Sequence, residues 1–198
     1  MKYPVHLLKL IDVLKKLPGV GNKSAERFAF EILNWSDDAL NQMANVLAST
    51  KTHLQYCQQC GCLIGIEDCP FCATSRHNHQ AICIVAQARD VFAIEGTHEF
   101  RGMYHVLGAL LSPMTGMGPE KLRFNKLQER ILEHHIREVV IALDSTLEGD
   151  ATALFLKQQL EPLKVHVSRL AFGLPMGSSL DYVDGGTLAK ALAARGQF

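Results

Sequence analysis

The chain has 198 residues, with 20 Lys and Arg against 20 Asp and Glu, a formal net charge of zero, 47% apolar residues and 20% charged ones. That composition supports packed cores and excludes a disordered chain. Zero net charge excludes a uniformly basic protein, so any hold on nucleic acid must come from a local patch. The start Met1-Lys2-Tyr3-Pro4 has no apolar signal core, and no run approaches the ~20 apolar residues that span a bilayer. The chain therefore reads as cytoplasmic, with no membrane contact, in a compartment where thiols stay reduced.

Leu7, Leu8, Ile11, Leu14 and Leu17 recur at helical spacing and predict a helix over 5–17. It stops at Leu17-Pro18-Gly19-Val20-Gly21. A second helix follows, with Ala25, Phe28, Ala29, Ile32 and Leu33 on one face. Ser36 has the form of an N-cap, with Asp37 and Asp38 favourable in the first turn of a third helix carrying Leu40, Met43, Ala44 and Leu47. Glycines at Gly19 and Gly21 let the backbone approach a phosphate with no Cβ in the way. The unsatisfied N–H groups of the second helix point outward behind them. Lys23 and Arg27 lie one turn apart on a shared face. Residues 1–35 hold six basic residues (Lys2, Lys9, Lys15, Lys16, Lys23, Arg27) against three acidic ones (Asp12, Glu26, Glu31), a local excess in a neutral chain. Gly19, Gly21, Lys23 and Arg27 are thus the candidate DNA-binding residues. Such contacts hold backbone and do not read bases. The plain alternative is a helical hairpin whose glycines only make a tight turn.

Two Cys-x-x-Cys knuckles follow, Cys57-Gln58-Gln59-Cys60 and Cys69-Pro70-Phe71-Cys72, with eight residues between them. Zn–S bonds of about 2.3 Å in a tetrahedron need this arrangement. Four thiolates, Cys57, Cys60, Cys69 and Cys72, leave no open position, so one Zn²⁺ per chain is expected in a structural role. Cys62 reads as a decoy or alternate ligand, and Cys83, in an apolar run, as a buried small residue. No basic residue falls between Cys57 and Cys72, and Glu67 and Asp68 are acidic. The module reads as a rigid joint rather than a nucleic-acid finger.

Thr74 to Gln80 reads as a polar exit. Ala81-Ile82-Cys83-Ile84-Val85-Ala86 is continuously apolar, as a buried parallel strand is. A helix over 88–95, a strand over 104–107, a long loop over 108–118, a helix from Pro119 to about His135 and a strand over 138–143 follow. A helix opening at Glu148-Gly149-Asp150 runs to Leu160, and a strand covers 165–170. This order predicts a mainly parallel sheet covered by helices. The expected class is α+β and multidomain: a helical hairpin domain (1–53), a four-cysteine zinc module (54–76), an α/β domain (77–175) and a C-terminal tail for oligomerisation (176–198). Asp144, at a strand's carboxyl end, with Glu148 and Asp150 behind it, forms a candidate Mg²⁺ cluster. The first strand ends in Ala86, however, with no acid to complete a cage. Adjacent His134 and His135 face different sides of a helix. No phosphate-cradling loop, nucleophile elbow or HExxH is present.

The order of these parts, and the words Leu17-Pro18-Gly19-Val20-Gly21-Asn22-Lys23-Ser24-Ala25-Glu26-Arg27, Tyr104-His105-Val106-Leu107-Gly108, Leu111-Ser112-Pro113, Glu148-Gly149-Asp150-Ala151-Thr152-Ala153, Arg169-Leu170-Ala171-Phe172-Gly173-Leu174-Pro175-Met176-Gly177 and Tyr182-Val183-Asp184-Gly185-Gly186-Thr187-Leu188, resemble the RecR family of bacterial recombination mediators over nearly the whole chain. The resemblance implies that residues 1–53 form a helix-hairpin-helix and that the α/β part is a Toprim domain. It implies dimers and ring-shaped tetramers that encircle single- or double-stranded DNA without regard to sequence. It also implies the partners RecO and RecF, help in loading RecA onto DNA coated by single-strand-binding protein at gaps, and a place in the bacterial cytoplasm at the nucleoid. Family members usually carry a glutamate where this chain has Ala86, and Asn-Pro-Thr where it has Asp144-Ser145-Thr146. A non-enzymatic DNA-binding mediator is the leading expectation. The alternatives are a magnesium-dependent Toprim nuclease or primase-like enzyme, and a zinc-held adaptor that binds only proteins.

Overall fold

The computed structural model describes residues 3–171, 173–174 and 176–196. Lys2 of the basic cluster, and Phe172 and Pro175 of the family stretch, fall outside them. The chain divides into two compact units, Met1–His53 and Leu54–Phe198.

The first unit is all helical: α1 (Val5–Leu14), α2 (Asn22–Ile32) and α3 (Asp37–His53). Leu7 of α1 and Ala25 and Ala29 of α2 are its buried positions. The two alanines stand one turn apart, and their small side chains let α1 come close. Leu17-Pro18-Gly19-Val20 closes a turn in which the Val20 N–H donates to the Leu17 carbonyl at 3.1 Å. Proline at the second place and a left-handed Gly19 (φ +78°) at the third suit a type II turn. Ser36 caps α3 as expected, accepting from the Ala39 N–H at 3.3 Å. The expected apolar face of α2 is only half covered, since Phe28 stays 38% exposed. No residue of α3 is buried, and Met43, Val46 and Leu47 stand in solvent.

The second unit opens with a two-stranded hairpin, β1 (Gln55–Tyr56) against β2 (Leu63–Ile64), antiparallel with Tyr56 opposite Leu63. The supposed polar exit holds a one-turn helix, α4 (Thr74–His77). Next come β3 (Ala81–Val85), α5 (Ala88–Glu95), β4 (Met103–Val106), α6 (Phe124–Glu133), β5 (Glu138–Ala142), α7 (Leu147–Leu160), β6 (His166–Arg169) and α8 (Gly185–Ala193). The four long strands form a wholly parallel sheet in the order β4-β3-β5-β6. The helix expected from Pro119 to His135 is shorter. Pro119–Lys121 makes one 3₁₀ turn, Leu122 is extended, and α6 starts at Phe124. Its end moves too: His134 caps the C-terminus and His135 is left-handed (φ +50°), so neither lies inside a helix. The His134 ring instead stacks on His77, 4.2 Å between centroids.

Alternation along the strands splits the core in two. Ile82, Ile84, Met103, Val139 and Ile141 face Leu127 and Ile131 of α6 and Leu156 and Leu160 of α7. Cys83, Val85, Tyr104 and Val106 face the other way, against Val91 of α5 and against Cys57, Cys60, Cys62 and Phe71. The cysteine module thus occupies part of a face where an α/β sheet ordinarily carries a helix.

Candidate nucleic-acid interface and metal centre

In the helical unit, Gly21 is the N-cap of α2, with φ −82° and ψ 176°, and no side chain caps that end. The first intrahelical bond there runs from the Ala25 N–H to the Gly21 carbonyl at 2.9 Å. The amides of Asn22, Lys23 and Ser24 precede it and make no intrahelical bond, the arrangement that receives an anion at a helix N-terminus. A Cβ added at Gly19 or Gly21 would meet nothing within 4 Å, so the approach is open. Lys23 and Arg27 are exposed. Neither carries an ion pair among the described residues, and Arg27 lies over the Phe28 ring at 5.5 Å. Basic residues belonging to the helix are thus free for an outside anion; Gly19, Gly21 and Lys23 lie at the start of α2 and Arg27 one turn farther along it.

The cysteine quartet is assembled by tight backbone turns. Cys57 N–H donates to the Cys62 carbonyl and Gly61 N–H to the Cys57 carbonyl, each at 2.9 Å. Gly61 is left-handed (φ +77°), and a Cβ there would press the Val106 side chain at 3.0 Å and collide with the Arg123 guanidinium. The second knuckle is a 3₁₀ turn, Pro70–Cys72, closed by the Cys72 N–H to the Cys69 carbonyl at 3.1 Å. The Sγ atoms of Cys57, Cys60, Cys69 and Cys72 lie within 4.8 Å of one another. Cys60 to Cys69 is 3.5 Å and Cys57 to Cys72 is 4.0 Å. Zn–S bonds of about 2.3 Å at tetrahedral angles put sulfurs just under 4 Å apart, so the quartet fits the metal. Cys62 is not in the quartet. It is buried, and its backbone N–H donates to Cys60 Sγ at 3.5 Å.

Without a cation, negative charge on one sulfur opposes charge on its neighbours. Cys60 is held below the ordinary thiol value, first by the Cys62 side chain and then by Cys72. Burial, and then the Cys60 charge, push Cys69 up to about 12. Cys72 is raised as well, first through its hydrogen bond to Cys60 and then by burial. A divalent cation removes that mutual repulsion.

Sequence reasoning missed the side chains that bind the quartet to the sheet. Arg130 on α6 is 1% exposed. It donates to the Tyr104 carbonyl at 2.6 Å, to His105 Nδ1 at 3.3 Å and toward Cys72 Sγ at 3.8 Å. His105 Nε2–H in turn donates to the Arg123 carbonyl at 3.0 Å, which fixes its tautomer. Desolvation, followed by the Arg130 charge, pulls its pKa down to about 3, so the ring is neutral. Arg123 Nη2 donates to the Gln58 carbonyl at 2.6 Å, inside the first knuckle. Arg76 on α4 grips Glu95 on α5 with two bonds of 2.9 and 2.7 Å and also donates to the Gly102 carbonyl. It lies over Phe71 and Tyr104 at 5.5 and 5.7 Å. One signal was available: Arg130 sits between Leu127 and Ile131 on the apolar face of its helix, where a charge is out of place.

The candidate Mg²⁺ acids are not gathered into a site. Asp144 and Glu148 are exposed. Asp150 pairs with Arg169 at 2.6 Å and with Lys190 of α8 at 3.5 Å, and Lys190 also donates to Ser145. The Arg169 hydrogen bond is the main cause that holds the Asp150 carboxyl below its usual range. Among the described residues, the quartet is the one group of acids, histidines and cysteines placed to share a metal.

Three family models match this architecture: "RecR, helix-hairpin-helix" over 7–51, "Toprim domain" over 80–171 and "RecR, C-terminal" over 173–195. The chain is thus a Toprim-domain protein with a helix-hairpin-helix ahead of it and a four-cysteine cluster packed on its sheet. The recombination protein RecR of Protochlamydia amoebophila (strain UWE25) is 60% identical over 198 residues, covering both chains completely. That of Chlamydia pneumoniae is 48% identical over 196 residues, and that of Desulforudis audaxviator (strain MP104C) is 42% identical over 195, each covering 98% of both chains. The chain belongs to the RecR family of recombination proteins, with a role in DNA recombination and repair. No described helix is long and apolar enough to cross a membrane.

Proposed function

We propose that this protein is a non-enzymatic mediator that holds DNA by its phosphates, whatever the sequence. The observation that carries the reading is the uncapped N-terminus of α2, with Gly19 and Gly21 clearing the approach and Lys23 and Arg27 exposed beside it. One Zn²⁺ per chain, held by Cys57, Cys60, Cys69 and Cys72, fixes the module and takes no part in chemistry. Residues 1–53 bind DNA, 54–76 hold the metal, 77–175 form the Toprim domain and 176–198 contact other subunits. The uncovered apolar side chains of α3 support assembly of several copies as dimers or ring-like tetramers. A ring multiplies weak phosphate contacts through effective concentration, which lets a neutral chain bind well. In this reading the ring acts with RecO and RecF in the bacterial cytoplasm, at the nucleoid. There it helps load RecA at gaps whose single strand is covered by single-strand-binding protein. The engagement of Asp150 by Arg169 and Lys190, and Ala86 in place of a carboxylate, weigh against a magnesium enzyme.

The test is the salt dependence of DNA binding. Each phosphate neutralised contributes about 0.9 to the slope of log affinity against log salt on duplex DNA. Lys23→Ala with Arg27→Ala should lower affinity equally on unrelated sequences and flatten that slope by up to about 1.8 per engaged hairpin. A double variant with the wild-type slope removes the hairpin from DNA binding.

A further inference from the structure

Arg130 is the largest fully buried side chain among the described residues. A buried guanidinium is always charged, and an unpaired buried charge costs several kcal/mol. Its partners accept from both Nη atoms without answering its charge. They are the Tyr104 carbonyl at 2.6 Å, neutral His105 at 3.3 Å, the Met103 thioether at 3.6 Å and Cys72 Sγ at 3.8 Å. Among the described residues, no carboxylate is in its hydrogen bonds or ion pairs. Of these partners only Cys72 belongs to a group that can be anionic. A divalent ion with four thiolates carries two net negative charges, and two of its sulfur ligands, Cys57 and Cys60, are buried while Cys69 and Cys72 are half-buried, so a nearby cation stabilises the cluster as the cluster stabilises Arg130.

We propose that Arg130 is the internal counter-ion of the metal–thiolate centre, set on α6 so that the centre's charge and the guanidinium can be buried only together. The proposal rests on the quartet holding a divalent metal. Arg130 positions Cys72 by an N–H···S bond and lowers the cluster's net charge, while its second arm grips the β4 backbone. Metal occupancy is thereby tied to the packing of α6 on the sheet. Outer partners of this kind change metal affinity about 10- to 100-fold.

The sign of the effect separates this role from ordinary packing. With zinc bound, Arg130→Met loses the counter-ion. With zinc stripped, the same change removes a buried charge that no longer faces the doubly negative centre. Thermal unfolding and zinc competition against a chromophoric chelator should be measured on the full-length wild type, Arg130→Met and Arg130→Lys, each loaded and stripped. Zinc affinity should fall at least tenfold in Arg130→Met and recover at least in part in Arg130→Lys, which keeps the charge. The Tm of Arg130→Met should drop when loaded but equal or exceed the wild type when stripped. An equal drop in both states, or zinc affinity within twofold of wild type, overturns the counter-ion role. Cobalt substitution reads the metal assignment separately: a wild type without sulfur-to-cobalt charge-transfer absorption overturns the metal centre itself.

Discussion

Gly21→Ala isolates the claim that a phosphate approaches the bare backbone of the hairpin. Gly21 has φ −82° and ψ 176°, which alanine adopts without strain, and its Cβ would meet nothing within 4 Å. Two small effects on folding oppose each other. Alanine is the poorer N-cap by about 0.5–1 kcal/mol, while the less flexible unfolded chain returns about 0.4–1 kcal/mol. Stability should stay within about 0.5 kcal/mol of the wild type. The DNA effect has no such offset. A methyl group over the amides of Asn22, Lys23 and Ser24 holds a phosphate oxygen beyond hydrogen-bond distance. A hydrogen bond to a charged group contributes about 1.5–3 kcal/mol, which corresponds to about a 10- to 100-fold loss of affinity per hairpin. Fluorescence anisotropy with two unrelated oligonucleotides, over a salt series, should show that loss at every salt with an unchanged slope, because no cation has been removed. Wild-type affinity in Gly21→Ala would refute the glycine argument. A changed slope would assign the effect to displaced lysine or arginine instead.

Gly61→Ala gives the opposite profile. Its φ of +77° costs alanine about 1–2 kcal/mol, and the forced contact with Val106 adds about 1–3 kcal/mol. Tm should fall by roughly 10 °C while the salt slope for DNA stays unchanged; a wild-type Tm contradicts the packing at the knuckle. His105, pulled down to about 3, resists protonation when folded but accepts a proton near its ordinary value when unfolded. Its folded pKa is depressed, so stability is lost as pH falls from about 6.5 toward 3. Urea unfolding in excess zinc should show this, and His105→Gln should lack up to one proton of the dependence; equal pH profiles would mean the ring is not neutral in the fold. Magnesium-dependent cleavage of gapped or single-stranded DNA should be absent in the wild type. Turnover that Asp144→Ala abolishes would reinstate the enzyme reading.

The quartet was legible because its chemistry is local: two knuckles and a short loop fix four sulfurs whatever the rest of the chain does. The sheet was legible because its two central strands are largely buried, so Ala81–Val85 and Val139–Ala142 read as continuous apolar runs. Arg130 was less so: its place on the apolar face is a hint, but its partners, the Tyr104 carbonyl and Cys72, appear only when the helix is laid against β4. Arg76 was hidden in a polar stretch whose single helical turn is held by Glu95, nineteen positions on. The start of α6 was misplaced because Pro119 is a good first-turn residue, and the extended Leu122 that interrupts the run carries no local signal. The apolar face of α3 read as an ordinary helix face, yet no residue of α3 is buried. Periodicity shows which side is apolar and not what covers it.

Strand β4 forms one margin of the parallel sheet. Two of its outward groups are occupied by the cysteine module and α6, the Val106 N–H donating to the Cys60 carbonyl at 2.8 Å and the Tyr104 carbonyl accepting from Arg130. A bare margin of this kind is a template for pairing with another chain. The knuckle therefore also acts as a guard against aggregation. When the metal leaves and Cys60 loosens, an apolar strand with open backbone groups is presented to every neighbouring molecule. Oxidation or chelation of the cysteines should then be felt first as loss of soluble protein, before any loss of DNA contact at the helical hairpin.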